Sequence, residues 1–173
     1  MELTREARFD AVLAQVHAPV QRYLRRRIAD ADDVLAETMV VLWRRLDDVP
    51  ADCLPWAYAV ARGCLQNATR SERRRLTLVR RIAREPEAPA PPEDPALAEA
   101  LAGLPEADRE VLRLWAWEQL PPREIAVVLG ITANAASIRL HRATTKLRTA
   151  MVGQESSPAG QVGVDGDGRG RRA

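Results

Sequence analysis

Aromatic residues are scarce in this chain: 173 residues hold four tryptophans, two tyrosines and one phenylalanine. Its cores must therefore be built from Ala, Leu, Val and Ile, a composition that suits helix-on-helix packing. Alternation of apolar and polar residues never persists beyond a few positions, which argues against strands. No stretch approaches the ~20 apolar residues needed to cross a bilayer. The opening MELTREARFD contains no apolar run, so no secretory signal is expected. The two cysteines, Cys53 and Cys64, have no Cys or His partners at metal-ligand spacing, and free thiols are expected rather than a disulfide or metal site. A phosphate-cradling glycine loop and a nucleophile–base arrangement are also missing. The expectation is a soluble, cytoplasmic, non-enzymatic protein with no catalytic residue, metal, cofactor or small-molecule substrate.

Charge is present but unevenly placed. The formal net charge is only +2, yet Arg62 to Arg84 holds eight arginines and one acid, Glu72. The adjoining Glu85 to Asp94 has four acids and no base. The stretch EPEAPAPPEDP carries five prolines and cannot be a helix interior. It divides an N-terminal helical domain, residues 5–83, from a C-terminal one, residues 96–151, with residues 84–95 as linker. The Gly-rich tail, residues 152–173, is expected to be disordered or to act as a short interaction segment. The fold class read from these features is all-α, with two small helical domains joined by a Pro-rich linker.

Periodicity predicts a first helix from Arg5 to His17, interrupted at Pro19 and resumed from Val20 to Ile28. A second, capped by Asp30, runs to Leu46 with Leu35, Met39, Leu42, Trp43 and Leu46 as its apolar stripe. Its opposite face carries Asp33, Glu37, Val40 and Arg44. A third begins near Pro55 and buries Ala57, Val60, Ala61, Cys64 and Ala68. Arg62, Gln66, Thr69, Arg70 and Arg73 share the outward face, spaced either to follow a phosphate backbone or to stand as a solvated basic surface. Gly63 in mid-helix costs about 1 kcal/mol relative to Ala.

Leu104 to Arg148 reads as three helices, the last two joined by a tight turn at Gly130-Ile131-Thr132. That is the layout of a helix-turn-helix unit, whose second helix enters the DNA major groove. Ala136, Leu140, Ala143 and Leu147 point inward. Asn134, Ser137, Ile138, His141, Arg142, Thr145 and Arg148 point outward.

Two separated strings, DADDVLAETMVVLWRRL followed by PWAYAVARGCLQNATRSERRR, and the Leu104–Arg148 segment together resemble regions 2 and 4 of extracytoplasmic-function sigma factors of the sigma-70 family. The resemblance implies a transcription initiation factor that binds core RNA polymerase and directs it to promoters through −10 and −35 elements. Asp33, Glu37, Val40 and Arg44 would dock on the clamp helices of the largest polymerase subunit, and the C-terminal domain on the flap of the second-largest. Trp56, Arg62, Gln66, Asn67, Arg70 and Arg73 would meet the melted −10 strand. The loop Asp47 to Leu54 would shape a pocket for a flipped base. Trp56 and Tyr58 would either stack on bases or pack in the core. At the −35 duplex, Asn134, Ser137 and Ile138 would face bases, Arg123, Arg139, Arg142 and Lys146 phosphates, and His141 the groove or plain surface. An anti-sigma protein is an implied partner.

The chain departs from the family pattern at Ala36, where Gln is common, and at Gly63, where Asn is common. It also departs at Pro121-Pro122, which replaces a Ser-aromatic pair and removes a capping box. The competing readings are a stand-alone helix-turn-helix regulator and a degenerate sigma-like interaction protein.

Overall fold

A computed structural model describes residues 4–79 and 94–155. Among them every regular element is helical: α1 (Arg5–Arg25), α2 (Ala31–Arg44), α3 (Cys53–Val79), α4 (Pro95–Ala102), α5 (Glu106–Ala116), α6 (Pro122–Leu129) and α7 (Ala133–Glu155), with a 3-10 turn at Leu46–Asp48. Most of the 84–95 linker and most of the 152–173 tail lie outside the described residues. At the linker's edge, Asp94 Oδ1 accepts from Ala96 N at 2.9 Å and Pro95 opens α4. At the tail's edge α7 carries on through Val152 to Glu155.

α1 is one uninterrupted helix with Pro19 inside it, against the break expected from that residue. Pro19 lacks an N–H for the helical ladder. The loss is outweighed by the stripe Val12, Val16, Val20, Tyr23 and Leu24, which is buried on both sides of the proline. Thr4 caps the start by accepting from Ala7 N.

α2 stops at Arg44, before Leu46, which is buried from the separate 3-10 turn. Asp30 sits at its N-cap but makes no side-chain capping bond. The buried stripe is Ala31, Val34, Leu35, Thr38 and Leu42, whereas Met39 and Trp43 are half-buried. Thr38 can be buried because its hydroxyl donates to Val34 O at 2.7 Å. Trp43 instead meets Phe9 edge-on at 5.1 Å and carries the Arg5 guanidinium 5.2 Å from its ring.

α3 starts at Cys53, two residues before Pro55, and its 27 residues span about 40 Å. It packs on α1 and α2 with one side and on α6 with another. One apolar core therefore runs through both halves of the chain, from Val16, Leu24 and Ala57 to Val111, Leu114, Ile125 and Ala136. A smaller cluster of Leu104, Leu112 and Ala143 holds α4, α5 and α7 together. Cys53 and Cys64 are buried free thiols.

The α6–α7 turn forms as expected. Gly130 sits at φ +65°, in the left-handed region, and Ile131 N reaches back to Ala126 O at 3.0 Å. Thr132 Oγ1 then accepts from Ala135 N and starts α7. Pro121 and Pro122 open α6 without a side-chain cap, their restricted φ substituting for it. Gly130→Ala should destabilise the fold by about 1–2 kcal/mol, because a Cβ is disfavoured at positive φ. Urea unfolding checks this, and an unchanged midpoint would contradict the role given to the turn.

Candidate nucleic-acid interface

The basic stripe of α3 faces outward from its own three-helix unit, as its spacing predicts, but the neighbouring half of the chain stands over it. Arg62, Gln66, Arg70 and Arg73 line a cleft of about 820 Å³. Its other wall comes from the end of α1 (Arg26, Arg27), from α5 (Glu106, Glu110, Arg113) and from Leu129 and Arg139 of the helix-turn-helix. Four of the six residues expected at the −10 strand thus share one surface, which borders the cleft while Gln66, Arg70 and Arg73 stay exposed.

The other two, Trp56 and Asn67, lie around the helix in a separate groove of about 360 Å³ between α2 and α3. Trp56 is half-buried, with the Arg45 guanidinium 5.2 Å from its ring, so it combines packing with an open face. Tyr58 is a core residue, 3% exposed and 5.3 Å from the Tyr23 ring. Gly63 lies on the same groove, and a Cβ built there would meet nothing within 4 Å. Among the described residues no neighbour requires that glycine.

On α2, Asp33, Glu37, Val40 and Arg44 form one exposed face, with Val40 46% exposed. Glu37 also borders the α2–α3 groove, which joins these two surfaces. On α7, Asn134, Ser137, Ile138, His141 and Arg142 are all exposed along one side, while Ala136 and Ala143 are fully buried behind them. Arg123 is exposed at the start of α6 and pairs with Glu124 at 3.2 Å. Two expected phosphate contacts depart from that side. Arg139 turns into the interdomain cleft, and Lys146 is engaged with Asp108 of α5.

The halves are joined by a buried ionic cluster. Arg27 Nε donates to Glu110 Oε2 at 3.2 Å, and Nη1 donates to Glu118 Oε1 at 3.1 Å and Tyr23 O at 2.9 Å. Glu118 also accepts from Arg26 at 3.3 Å, and the Tyr23 hydroxyl donates to Glu110 at 3.3 Å. Arg27 and Glu118 are 4% and 3% exposed in their side chains. Burial opposes the charged form of Arg27, but Glu110, Tyr23 and Glu118 outweigh it and hold the guanidinium charged. Burial, with Glu110 alongside, pushes the Tyr23 hydroxyl above its ordinary range. Burial and Glu118 push Tyr58 up to about 12.

Sequence reasoning missed this cluster. Its members lie on opposite sides of the Pro-rich segment, and single buried acids on amphipathic helices look like solvated surface residues. The one local hint is Gln119, a non-glycine residue at φ +56°, which turns the chain directly after Glu118.

Residues 9–75 match the family Sigma-70 region 2, and residues 95–147 match Sigma-70, region 4. A curated relative, the Probable RNA polymerase sigma factor RfaY of Xanthomonas campestris pv. campestris, is 29% identical over 142 residues, 73% of this chain and 35% of the relative. The chain therefore spans about a third of that relative's length. Among solved structures, the sigma factor RpoE in complex with the anti-sigma factor NepR from Bartonella quintana aligns with a TM-score of 0.64 at 18% identity. That alignment covers 83% of this chain and 96% of the other. CnrH in complex with the cytosolic domain of CnrY aligns at 0.56 and 24% identity, over 86% and 89%. At these identities the two structures speak for the fold. No helix among the described residues is long and apolar enough to cross a membrane.

Arg27→Met should cost about 3–5 kcal/mol, since it strands Glu110 and Glu118 in a buried site. Adding Glu110→Leu and Glu118→Leu should recover part of the loss, because no unpaired charge then remains. Urea unfolding of the single and triple variants checks this, and a mild single variant would contradict the cluster's role.

Stability should also depend on alkaline pH. Folded Tyr23 and Tyr58 hold their protons above the ordinary value of 10.0, so stability is full below that pH and falls as pH rises through 10 towards 12 and beyond. Unfolding midpoints recorded beside tyrosinate absorbance test it. Full ionisation near pH 10 with no loss of stability would be the contrary result.

Proposed function

The chain belongs to the sigma-70 family, carrying its regions 2 and 4, and from that premise we propose that it is an alternative sigma factor of the extracytoplasmic-function type. It binds core RNA polymerase and directs promoter-specific initiation, while the polymerase does the chemistry and the chain itself catalyses nothing. The observation that carries this reading is the occurrence of both regions in one chain, in order, with a basic stripe on α3 and an exposed polar face on α7. The work takes place where polymerase is, in the cytoplasm.

In this reading the exposed face of α2 docks on the clamp helices, and the C-terminal domain meets the flap. Asn134, Ser137 and Ile138 read the −35 duplex, with His141 in the groove and Arg123 and Arg142 on phosphates. Arg62, Gln66, Arg70 and Arg73 follow the melted −10 strand, with Trp56 and Asn67 offering a stacking and hydrogen-bonding site from the adjoining groove. Arg139 joins the phosphate contacts once it leaves the cleft, and Lys146 once it leaves Asp108.

Promoter engagement then requires the two halves to part. Elements centred 25 base pairs apart are separated by about 85 Å of duplex at 3.4 Å per step. A compact chain of this length is only about 40 Å across. The cleft points the same way, since α5 and Arg139 face the stripe across it and narrow the space for a strand. Core polymerase supplies the docking energy for opening. An anti-sigma protein is the partner that would oppose it, a reading supported by the similar structure of the sigma factor RpoE determined with the anti-sigma factor NepR bound.

Transcription in vitro with purified core enzyme tests the proposal. The chain should confer specific start sites, and Arg70→Ala and Arg142→Ala should each lower output about 10- to 100-fold, the loss of roughly 1–3 kcal/mol of contact. No holoenzyme and no specific start would contradict it. Tight duplex binding by the chain alone would favour the stand-alone regulator instead.

A further inference from the structure

We propose that Arg5, at the start of α1, is a positioning residue for the α2–α3 groove, because it pins the turn that holds Arg45 over Trp56. Arg5 Nη1 donates to Asp47 Oδ2 at 3.0 Å, and Nη2 donates to the Trp43 carbonyl at 3.0 Å. The same guanidinium lies 5.2 Å from the Trp43 ring. Both arms of one planar fork are thus used, one on the end of α2 and one on the 3-10 turn, and the plane fixes the angle between them. Arg8 places a second cation 3.6 Å from Asp47, and Phe9 meets the Trp43 ring edge-on at 5.1 Å. Arg5, Arg8 and Phe9 stand at i, i+3 and i+4, so a single face of α1 makes all of these contacts. Thr4 fixes that first turn by accepting from Ala7 N, and Val12 and Val16 carry the helix on into the core.

The far end of the same connection is tied to α1 independently. Cys53 Sγ donates to Gln15 Oε1 at 3.6 Å, and Gln15 Nε2 donates to Ala11 O at 3.1 Å, which sets the direction of the amide. α1 therefore holds the α2–α3 connection, residues 45–53, both where it begins and where it ends. Between these ties Leu46 is fully buried and Val49 half-buried, while Pro50, Ala51 and Asp52 are exposed.

The turn has two working sides. Asp47 faces the arginines of α1, and its neighbour Asp48 accepts from Arg45 Nε at 3.1 Å. The Arg45 guanidinium in turn lies 5.2 Å from the Trp56 ring, and both residues line the groove of about 360 Å³. A turn released from Arg5 carries Asp48 with it, and Arg45 then loses its fixed place over Trp56. Trp56 and Asn67 are the groove residues assigned above to the melted −10 strand, so the consequence for promoters rests on that reading. The Arg5 and Asp47 side chains are 41% and 76% exposed, and pairs so exposed add little to global stability. Their effect is on the position of one turn.

Amide hydrogen exchange of the full chain tests this without polymerase. Arg5→Gln should speed exchange at residues 45–52 about 3- to 10-fold, the combined worth of one exposed ion pair and one exposed cation–π contact. The urea midpoint should hardly move. Arg5→Lys, which keeps the charge but lacks the planar fork, should restore part of the protection. Asp47→Asn should lose part of it, and little more when added to Arg5→Gln, since the two side chains share one contact. Arg25→Gln, which removes an arginine of the same helix paired with Asp32 at 3.7 Å, should leave residues 45–52 unchanged. In transcription with core polymerase, Arg5→Gln should lower discrimination against single-base changes in the −10 element about threefold or more, and leave the −35 element as it was. Unchanged exchange at 45–52, or equal effects of Arg5→Gln and Arg25→Gln, overturns the proposal. So does faster exchange with −10 discrimination intact, or an equal loss at both elements. If the parent chain supports no specific start, the sigma reading fails, and the exchange result still decides whether Arg5 holds the turn.

Discussion

A single buried arginine governs the shape of this molecule. Arg27 leaves α1 at its C-terminal end and is met by Glu110 and Glu118 from beyond the Pro-rich segment, in a site closed to water on nearly all sides. A charge so placed is tolerable only while both acids remain, because desolvation otherwise costs several kcal/mol. The apolar core that runs on from α1 and α3 into α5 and α6 supplies the bulk of the attraction. The ionic cluster sets its register. Two small helical units that share one core are thereby held as one body.

That constraint decides what each surface can do. The exposed faces of α2 and α7 point away from the rest of the chain, whereas the arginine stripe of α3 is solvent-exposed but faces the C-terminal helices across a cleft. The buried cluster suits a parting of the halves, since an ion pair that breaks completely gives two distinct states rather than a graded one. The same geometry explains the charge gathered in the cleft. Arginines from both halves of the chain line one cleft.

Much of this was legible in the sequence, and the limits follow from range. The α6–α7 turn could be read because Gly130 and Thr132 act on atoms a few residues away. The buried sides of α3 and α7 could be read because helical period is local, as Ala57, Ala61, Ala136 and Ala143 attest. Pro19 was misread because local propensity weighed against burial that only the tertiary fold supplies. The meeting of Arg62, Arg70 and Arg139 at one cleft was invisible, since periodicity tells which side of a helix is polar but not what stands opposite. Arg27, Glu110 and Glu118 were missed for the same reason. The roles given to the exposed residues of α2 and α7 rest on the family pattern, with exposure as their support.

In the free chain the two halves pack together across one cleft, and the proposed function requires core polymerase to part them. The most direct measurement is the distance between spin labels on the outer faces of α2 and α7, taken for the free chain and then with core RNA polymerase. A short, narrow distribution that lengthens on binding polymerase, to a separation matching the spacing of two promoter elements, is the predicted result. A distribution already long in the free chain, or one unchanged by polymerase, would contradict the account.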